Sequence, residues 1–122
     1  MTALPPRSSR PPQLTPDVAR VLLDDGGLDE QHDPRIGSDD LIAIYRHMVL
    51  TRELDERFIV LQRQGRIGFH VGSLGEEATI IGAAWALRPQ DWIFSCYREY
   101  GAALMRGLPL QKLLDNVFGN QN

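Results

Sequence analysis

Between Ser38 and Gly65, the apolar residues Leu41, Ile44, Tyr45, Met48, Leu54, Phe58 and Leu61 recur at spacings close to one helical face. Ser38 suits an N-cap, and Asp39 and Asp40 place negative charge at the positive end of a helix dipole. Gly65 stands where a terminating residue in the left-handed region is expected. The pattern predicts one helix of about 26 residues, roughly 39 Å long. So long a helix needs cover. Six of the eight prolines fall in the first 34 of 122 positions, so folding that begins near Ser38 leaves about 85 residues. A chain of that size buries only roughly 60 to 65% of its unfolded surface, which makes an isolated fold marginal without a partner. Arg52, Glu53, Asp55, Glu56 and Arg57 occupy the middle of the helix. Two readings of them stand open: a solvated face with ion pairs, or a docking face for a second subunit.

Met1 to Pro16 is rich in Pro, Ser and Arg and reads as a mobile arm. Val18 to Leu23 followed by Asp24-Asp25-Gly26-Gly27 predicts a short strand and a tight turn, and Asp29 to Gly37 reads as an acidic linker. Residues 1–37 are thus expected to be arm and linker, and 38–122 the folded part. Ser73 and Glu76 have the spacing of a capping box at the head of a small, apolar helix, Ala78 to Leu87, which Pro89 ends. Trp92-Ile93-Phe94 suits a short buried strand with Tyr97-Arg98 just past its carboxyl end, the edge where open parallel sheets bind ligands. Glu99 to Arg106 reads as a helix closed by Gly107. Pro109 opens another, with Leu110, Leu113, Leu114, Val117 and Phe118 as its buried stripe and Gly119 as terminator. The chain as a whole is expected to be mostly helical with one or two short strands.

A net charge of −3 gives no general positive field for nucleic acid or anionic membranes. The longest apolar runs are about five residues, far short of the ~20 that span a bilayer. A single cysteine, Cys96, allows no intramolecular disulfide and reads as a small buried filler. Arg7 and Arg10 are followed by no apolar core of a presequence, and a soluble cytoplasmic protein is expected. The three histidines lack metal-ligand spacing, there is no Cys-x-x-Cys, and Gly65-Arg66-Ile67-Gly68 lacks the spacing of a phosphate-binding fingerprint. Arg98 offers a planar fork of donors that matches two phosphate oxygens, with the Tyr97 hydroxyl beside it. On its own, such a pair is most often a packed aromatic next to a surface arginine.

Gly65-Arg66-Ile67-Gly68-Phe69, Gly75-Glu76-Glu77-Ala78 and Tyr97-Arg98-Glu99-Tyr100-Gly101 occur in an order and spacing that narrow the choice. From about Arg20 to Asn122 the chain resembles the amino-terminal part of the alpha subunit of the thiamin-diphosphate-dependent decarboxylating component of 2-oxo acid dehydrogenase complexes. The resemblance implies an α/β thiamin-diphosphate-binding fold and oxidative decarboxylation of a 2-oxo acid, with the acyl group passed to lipoyl. Gln62 to Ala78 looks closer to the branched-chain type than to the pyruvate type.

The same resemblance implies a beta subunit as partner in a heterotetramer and a lipoyl-bearing acyltransferase beyond it. It gives Tyr97 and Arg98 to the cofactor diphosphate, and Phe69, His70 and Ser73 to the substrate pocket. No catalytic residue is implied here, because the activating glutamate belongs to the beta subunit. The family's Gly-Asp-Gly magnesium motif does not occur in this sequence, so magnesium would be held by residues outside it, and the chain alone is expected to be inactive. A tyrosine often stands at the position of His70 in branched-chain-type sequences, and the pyruvate type has its histidine where Val71 stands. Pocket lining and ordinary loop packing therefore both remain open for His70. Glu99 is expected to orient Arg98 or cap the helix that follows. The alternative to an enzyme subunit is a truncated, non-catalytic remnant that pairs with a beta subunit.

Overall fold

The computed structural model describes residues 20–120. The expected arm and the first two residues of the Val18 to Leu23 strand lie outside them. Four helices follow one another: α1 (Ser38–Arg63), α2 (Glu77–Ala86), α3 (Tyr100–Met105) and α4 (Leu110–Phe118). The chain divides between Arg35 and Ile36 into two compact units. In the first, the predicted turn is present. Leu23 N donates to Gly27 O at 2.9 Å, Gly26 N to Leu23 O at 3.0 Å, and Gly26 has φ +84°. The predicted strand shrinks to a single antiparallel bridge between Leu22 and Leu28. Both leucines are exposed, and one bridge with no apolar face to bury does not grow into a ladder.

In the second unit α1 runs for the 26 residues that its periodicity predicts. Its end is closed by the amides of Gln64, Gly65 and Arg66, which donate to the carbonyls of Val60, Gln62 and Leu61, with Gly65 at φ +69°. The start differs by one residue: Gly37, in extended conformation, is the N-cap, and Ser38 lies inside the first turn. Helices α1, α2 and α3 pack against one another around Ile44, Ile80, Ile81, Ala84 and Ala102. The approach of α3 to α1 depends on Gly101. A Cβ there would lie 2.6 Å from Thr51 Oγ1 and 3.2 Å from Ile81 Cδ1, so any side chain would push the two helices apart. A second cluster, Phe58, Leu61 and Ile67, draws in Leu114 and Val117 and so ties α4 to the far end of α1. Fully burying side chains of this size stabilises by roughly 1.5–3 kcal/mol each.

Four local expectations are corrected. The capping box does not form: α2 has no side-chain cap, Ser73 turns instead to Asp55, and Glu76 faces Arg98. The turn into α2 is held by other bonds, Glu76 N to Ser73 O at 2.8 Å and Gly75 N to Glu77 Oε2 at 3.0 Å. Trp92-Ile93-Phe94 is not a strand, and the described residues contain no strand at all. Its alternation survives, since Ile93 packs on the core while Trp92 and Phe94 are 84% and 93% exposed and stack on each other. What it lacks is a neighbouring backbone, without which an extended segment has no ladder to join. Cys96, expected to fill a buried gap, is exposed. On α4, Leu113 is buried as predicted, whereas Leu110 and Phe118 at the margins of the stripe are exposed.

Candidate functional site

The second unit has a polar centre inside its apolar packing. Asp55 sits on the inner face of α1 with no accessible surface. Three donors and a histidine ring nitrogen converge on its two oxygens. Ser73 N and Ser73 Oγ donate to Oδ2 at 2.5 and 2.9 Å; the Tyr100 hydroxyl donates to Oδ1 at 2.6 Å, and His70 Nε2 lies 3.0 Å from that same oxygen. A buried carboxylate is tolerated when its oxygens find hydrogen-bond partners, and here each oxygen has two. Three elements meet here: α1 brings the Asp55 carboxylate, the loop before α2 brings Ser73 and His70, and α3 brings Tyr100, its first residue. The carboxylate therefore pins that loop and α3 to α1. Burial, together with the Asp55 hydrogen bond, holds the Tyr100 phenol well above its usual range, so its hydroxyl keeps its proton and remains a donor.

One side of this centre opens into a cleft of about 570 Å³. Phe58 and His70, packed edge to face with ring centroids 5.2 Å apart, form part of its wall. Phe69 and Tyr97, also edge to face at 5.9 Å, form another part, and Val117 and Phe118 of α4 close it from below. Phe69 and Tyr97 are 69% and 56% exposed, so the cleft presents aromatic surface to whatever enters it. Of the five residues singled out in the sequence, Phe69, His70 and Tyr97 line this one cleft. Ser73 does not. It is fully buried and spends both its amide and its hydroxyl on Asp55, so it supports the wall without facing the cleft.

Arg98 lies beside the cleft. Its guanidinium carbon is 5.5 Å from the centroid of the Tyr97 ring, and Nη1 reaches Glu76 Oε1 at a long 3.5 Å. Nε is buried and has no hydrogen-bond partner among the described residues. The carboxylate that pairs with Arg98 is thus Glu76, and Glu99 instead accepts from Cys96 N at 2.8 Å. Glu77 has a separate role: it bonds Arg52 Nε and links α2 to α1. That hydrogen bond holds the Glu77 carboxyl below its ordinary range. Of the charged residues midway along α1, Glu53, Glu56 and Arg57 face solvent, Arg52 bridges to α2, and Asp55 is internal. Among the described residues, no group of three or more His, Cys, Asp or Glu is placed to hold a metal ion.

A family model described as dehydrogenase E1 component matches residues 45–122, which span α1 beyond its first two turns, the cleft and all later helices. The chain belongs to the dehydrogenase E1 component family. It is 41% identical over 104 residues to 2-oxoisovalerate dehydrogenase subunit alpha 2, mitochondrial, of Arabidopsis thaliana, covering 84% of this chain and 22% of that one. Over 66 residues it is 50% identical to 3-methyl-2-oxobutanoate dehydrogenase subunit alpha of Mycobacterium tuberculosis, covering 54% and 18%. With 2-oxoisovalerate dehydrogenase subunit alpha, mitochondrial, of Mus musculus it shares 35% over 106 residues, covering 86% and 24%. The chain spans about a fifth to a quarter of the length of these curated relatives. No helix among the described residues is long and apolar enough to cross a membrane, and two of these three relatives carry mitochondrial names.

Asp55, Tyr100 and Phe58 are the site residues that reading the sequence for chemistry missed. A signal was available. The inner face of α1 runs Ile44, Met48, Thr51, Asp55, Phe58 at alternating steps of four and three, so Thr51 and Asp55 interrupt an apolar stripe. A carboxylate in such a stripe points to a buried polar network.

Proposed function

We propose that this chain forms the amino-terminal, cofactor-facing section of the alpha subunit of a branched-chain 2-oxo acid dehydrogenase. Within that subunit, Tyr97 and Arg98 hold the diphosphate of thiamin diphosphate, and Phe69 and His70 line the approach to its reactive end. The observation that carries this reading is the pairing of a family match with an under-used arginine. Arg98 has one buried N–H with no acceptor and one long contact to Glu76, next to a cleft lined by Tyr97. An arginine fork with spare donors suits a phosphate group, which brings several acceptor oxygens and charge. The residues present therefore fit the diphosphate end of the cofactor. Magnesium falls to residues outside this sequence.

When bound, thiamin diphosphate supplies the electron sink for decarboxylation of a 2-oxo acid. This chain supplies position. Arg98 and Tyr97 donate to diphosphate, and the rings of Phe58, Phe69 and Tyr97 give the cleft an aromatic lining. Asp55 fixes the wall behind them. A beta subunit completes the site, and the acyl product passes to the lipoyl group of the acyltransferase. The names of the relatives favour 3-methyl-2-oxobutanoate and its branched-chain analogues over pyruvate. The test is a calorimetric titration of thiamin diphosphate with magnesium into the alpha chain assembled with a beta subunit. Saturable binding that is lost in Arg98→Ala is expected. Equal affinity in wild type and variant would remove Arg98 from the site.

A further inference from the structure

His70 is the one imidazole on the cleft wall, and its side chain is only 7% exposed. One ring nitrogen, Nε2, faces Asp55; the other, Nδ1, makes no hydrogen bond within the described protein and is not sealed off from solvent. The chain's other two histidines are arranged the opposite way. His47 Nδ1 lies 2.9 Å from the carbonyl of Ala43, and His32 Nδ1 lies 2.7 Å from the Asp29 carboxylate. A carbonyl or a carboxylate only accepts, so each of those two rings carries its hydrogen on Nδ1.

We propose that Asp55 is a positioning residue: it keeps the hydrogen of His70 on Nε2 and so makes Nδ1 the atom through which His70 exchanges a proton or a hydrogen bond with a ligand in the cleft. Both Asp55 oxygens are already met by donors. Ser73 N–H cannot do anything except donate, and it occupies Oδ2 together with Ser73 Oγ. Oδ1 takes the Tyr100 hydroxyl and leaves one direction, which His70 fills as a donor. A carboxylate that fixes the tautomer and ring orientation of a site histidine is a recurring device, and the ring nitrogen left over is the one that works. The role of Nδ1 toward a ligand rests on the reading of the cleft given above. The tautomer itself does not.

The chemistry of an amide makes the assignment testable. In Asp55→Asn the amide oxygen must face Ser73 N–H, which places the NH2 group where Oδ1 stood. Tyr100 can accommodate it by turning its hydrogen to the Thr51 carbonyl, 3.2 Å away, and accepting. His70 can accommodate it only by giving up its Nε2 hydrogen. The tautomer is therefore expected to invert, with Nδ1–H now pointing at the cleft.

The experiment is nitrogen NMR of protein labelled at histidine with 15N, with each ring assigned by His→Gln substitution. In wild type, His32 and His47 are expected as Nδ1–H and His70 as Nε2–H. In Asp55→Asn, His70 alone should change to Nδ1–H. Wild-type His70 in the Nδ1–H form, or a folded Asp55→Asn protein with His70 unchanged, would overturn the proposal. Should Asp55→Asn lose its helical circular dichroism, Tyr100→Phe decides. It leaves the carboxylate in place and must leave the tautomer as it was; an inversion there would hand the orienting role to Tyr100. Thiamin diphosphate and magnesium, added with unlabelled beta subunit, should move the His70 signals and leave His32 in place. If they move none, the cleft reading fails and the Asp55 assignment stands on the tautomers alone.

Discussion

The Asp55 centre and the segment from Trp92 to Arg98 lie on the same side of the sequence's chemistry and are built on opposite principles. Around Asp55 both carboxylate oxygens are fully engaged, and Asp55 and Ser73 are completely buried. From Trp92 to Arg98 two aromatic side chains stand almost fully in solvent, and an arginine keeps a buried N–H without an acceptor. The first region is finished by this chain's own residues. The second has donors and apolar surface left over, as expected of a segment that meets something else. Completed geometry and functional readiness are thus separated along the chain: the centre sets where the loop residues stand, and the loop keeps its valences free.

If the centre is as complete as it looks, emptying it should produce the largest loss. Asp55→Ala leaves the amide and hydroxyl of Ser73 and His70 Nε2 without their partner and the Tyr100 hydroxyl with only the Thr51 carbonyl, and an expected cost is about 3–5 kcal/mol, as for one partner removed from a buried charged network. Urea unfolding of wild type and variant measures it. A loss below about 1 kcal/mol would show that water replaces the carboxylate and that the centre is less closed than described.

The unfinished region predicts the reverse pattern, with binding affected and folding spared. Arg98→Lys keeps the charge and loses the fork, so in the assembled subunit thiamin diphosphate should bind about 1.5–3 kcal/mol more weakly, roughly ten- to 150-fold. The unfolding midpoint should stay put, because Arg98 makes only the long contact to Glu76 and an exposed one to the Tyr97 ring, both of which a lysine cation can keep. A variant with unchanged affinity and lowered stability would place Arg98 in the scaffold and erase the contrast.

A smaller effect tests how tightly α3 is held. Gly101→Ala sets a methyl group 2.6 Å from Thr51 Oγ1, closer than packed Cβ atoms come, and tightly against Ile81, and overpacking of this kind costs about 1–3 kcal/mol. Thermal unfolding gives the size. The pairing with Thr51→Ser, which removes the methyl 3.1 Å away but not the hydroxyl at 2.6 Å, should recover only part of the loss.

The smallest effect is electrostatic and belongs to the Arg52–Glu77 link between α1 and α2. The folded pKa of Glu77 lies below its ordinary value of 4.5 because Arg52 hydrogen-bonds the ionised form. Its contribution is therefore present above pH 4.5 and is lost as pH falls through the folded value. Wild type should exceed Glu77→Gln in stability at neutral pH, and the gap should close in acid. A gap that is constant with pH would mean that the link acts through packing alone.

What the sequence made legible divides along the same line as the two regions. Periodicity and terminators located α1, α3 and α4 well, because Gly65, Gly107 and Gly119 are local signals that act on a few residues of backbone. Trp92-Ile93-Phe94 had the alternation of a strand, but a strand is a relation between two segments, and among the described residues none pairs with it. Ser73 and Glu76 matched a local capping pattern and lost to a tertiary one: the Asp55 carboxylate, 18 residues away in sequence, outcompeted the helix amides for the serine. Asp55 itself was hidden among Arg52, Glu53, Glu56 and Arg57, where a run of charge reads as solvent-facing, although its register put it on the apolar stripe. Phe69 and Tyr97, which line the cleft, were singled out only through the family's motifs, since nothing in their local pattern sets them apart from other surface aromatics.

The Asp55 centre also sets the order in which this unit can come apart. Its ligands lie 15, 18 and 45 residues away, so α1 formed on its own would leave the carboxylate in water, comfortable and unpaired. Only when the 70–73 loop and α3 have both docked does desolvating it become favourable, and when either leaves, the other is left facing a charge it cannot neutralise alone. Fraying of the six-residue α3, too short to persist by itself, is thereby tied to the release of the loop that carries His70. Hydrogen exchange should register Tyr100, Ser73 and the middle of α1 opening as one cooperative unit, a single latch in place of three separate hinges.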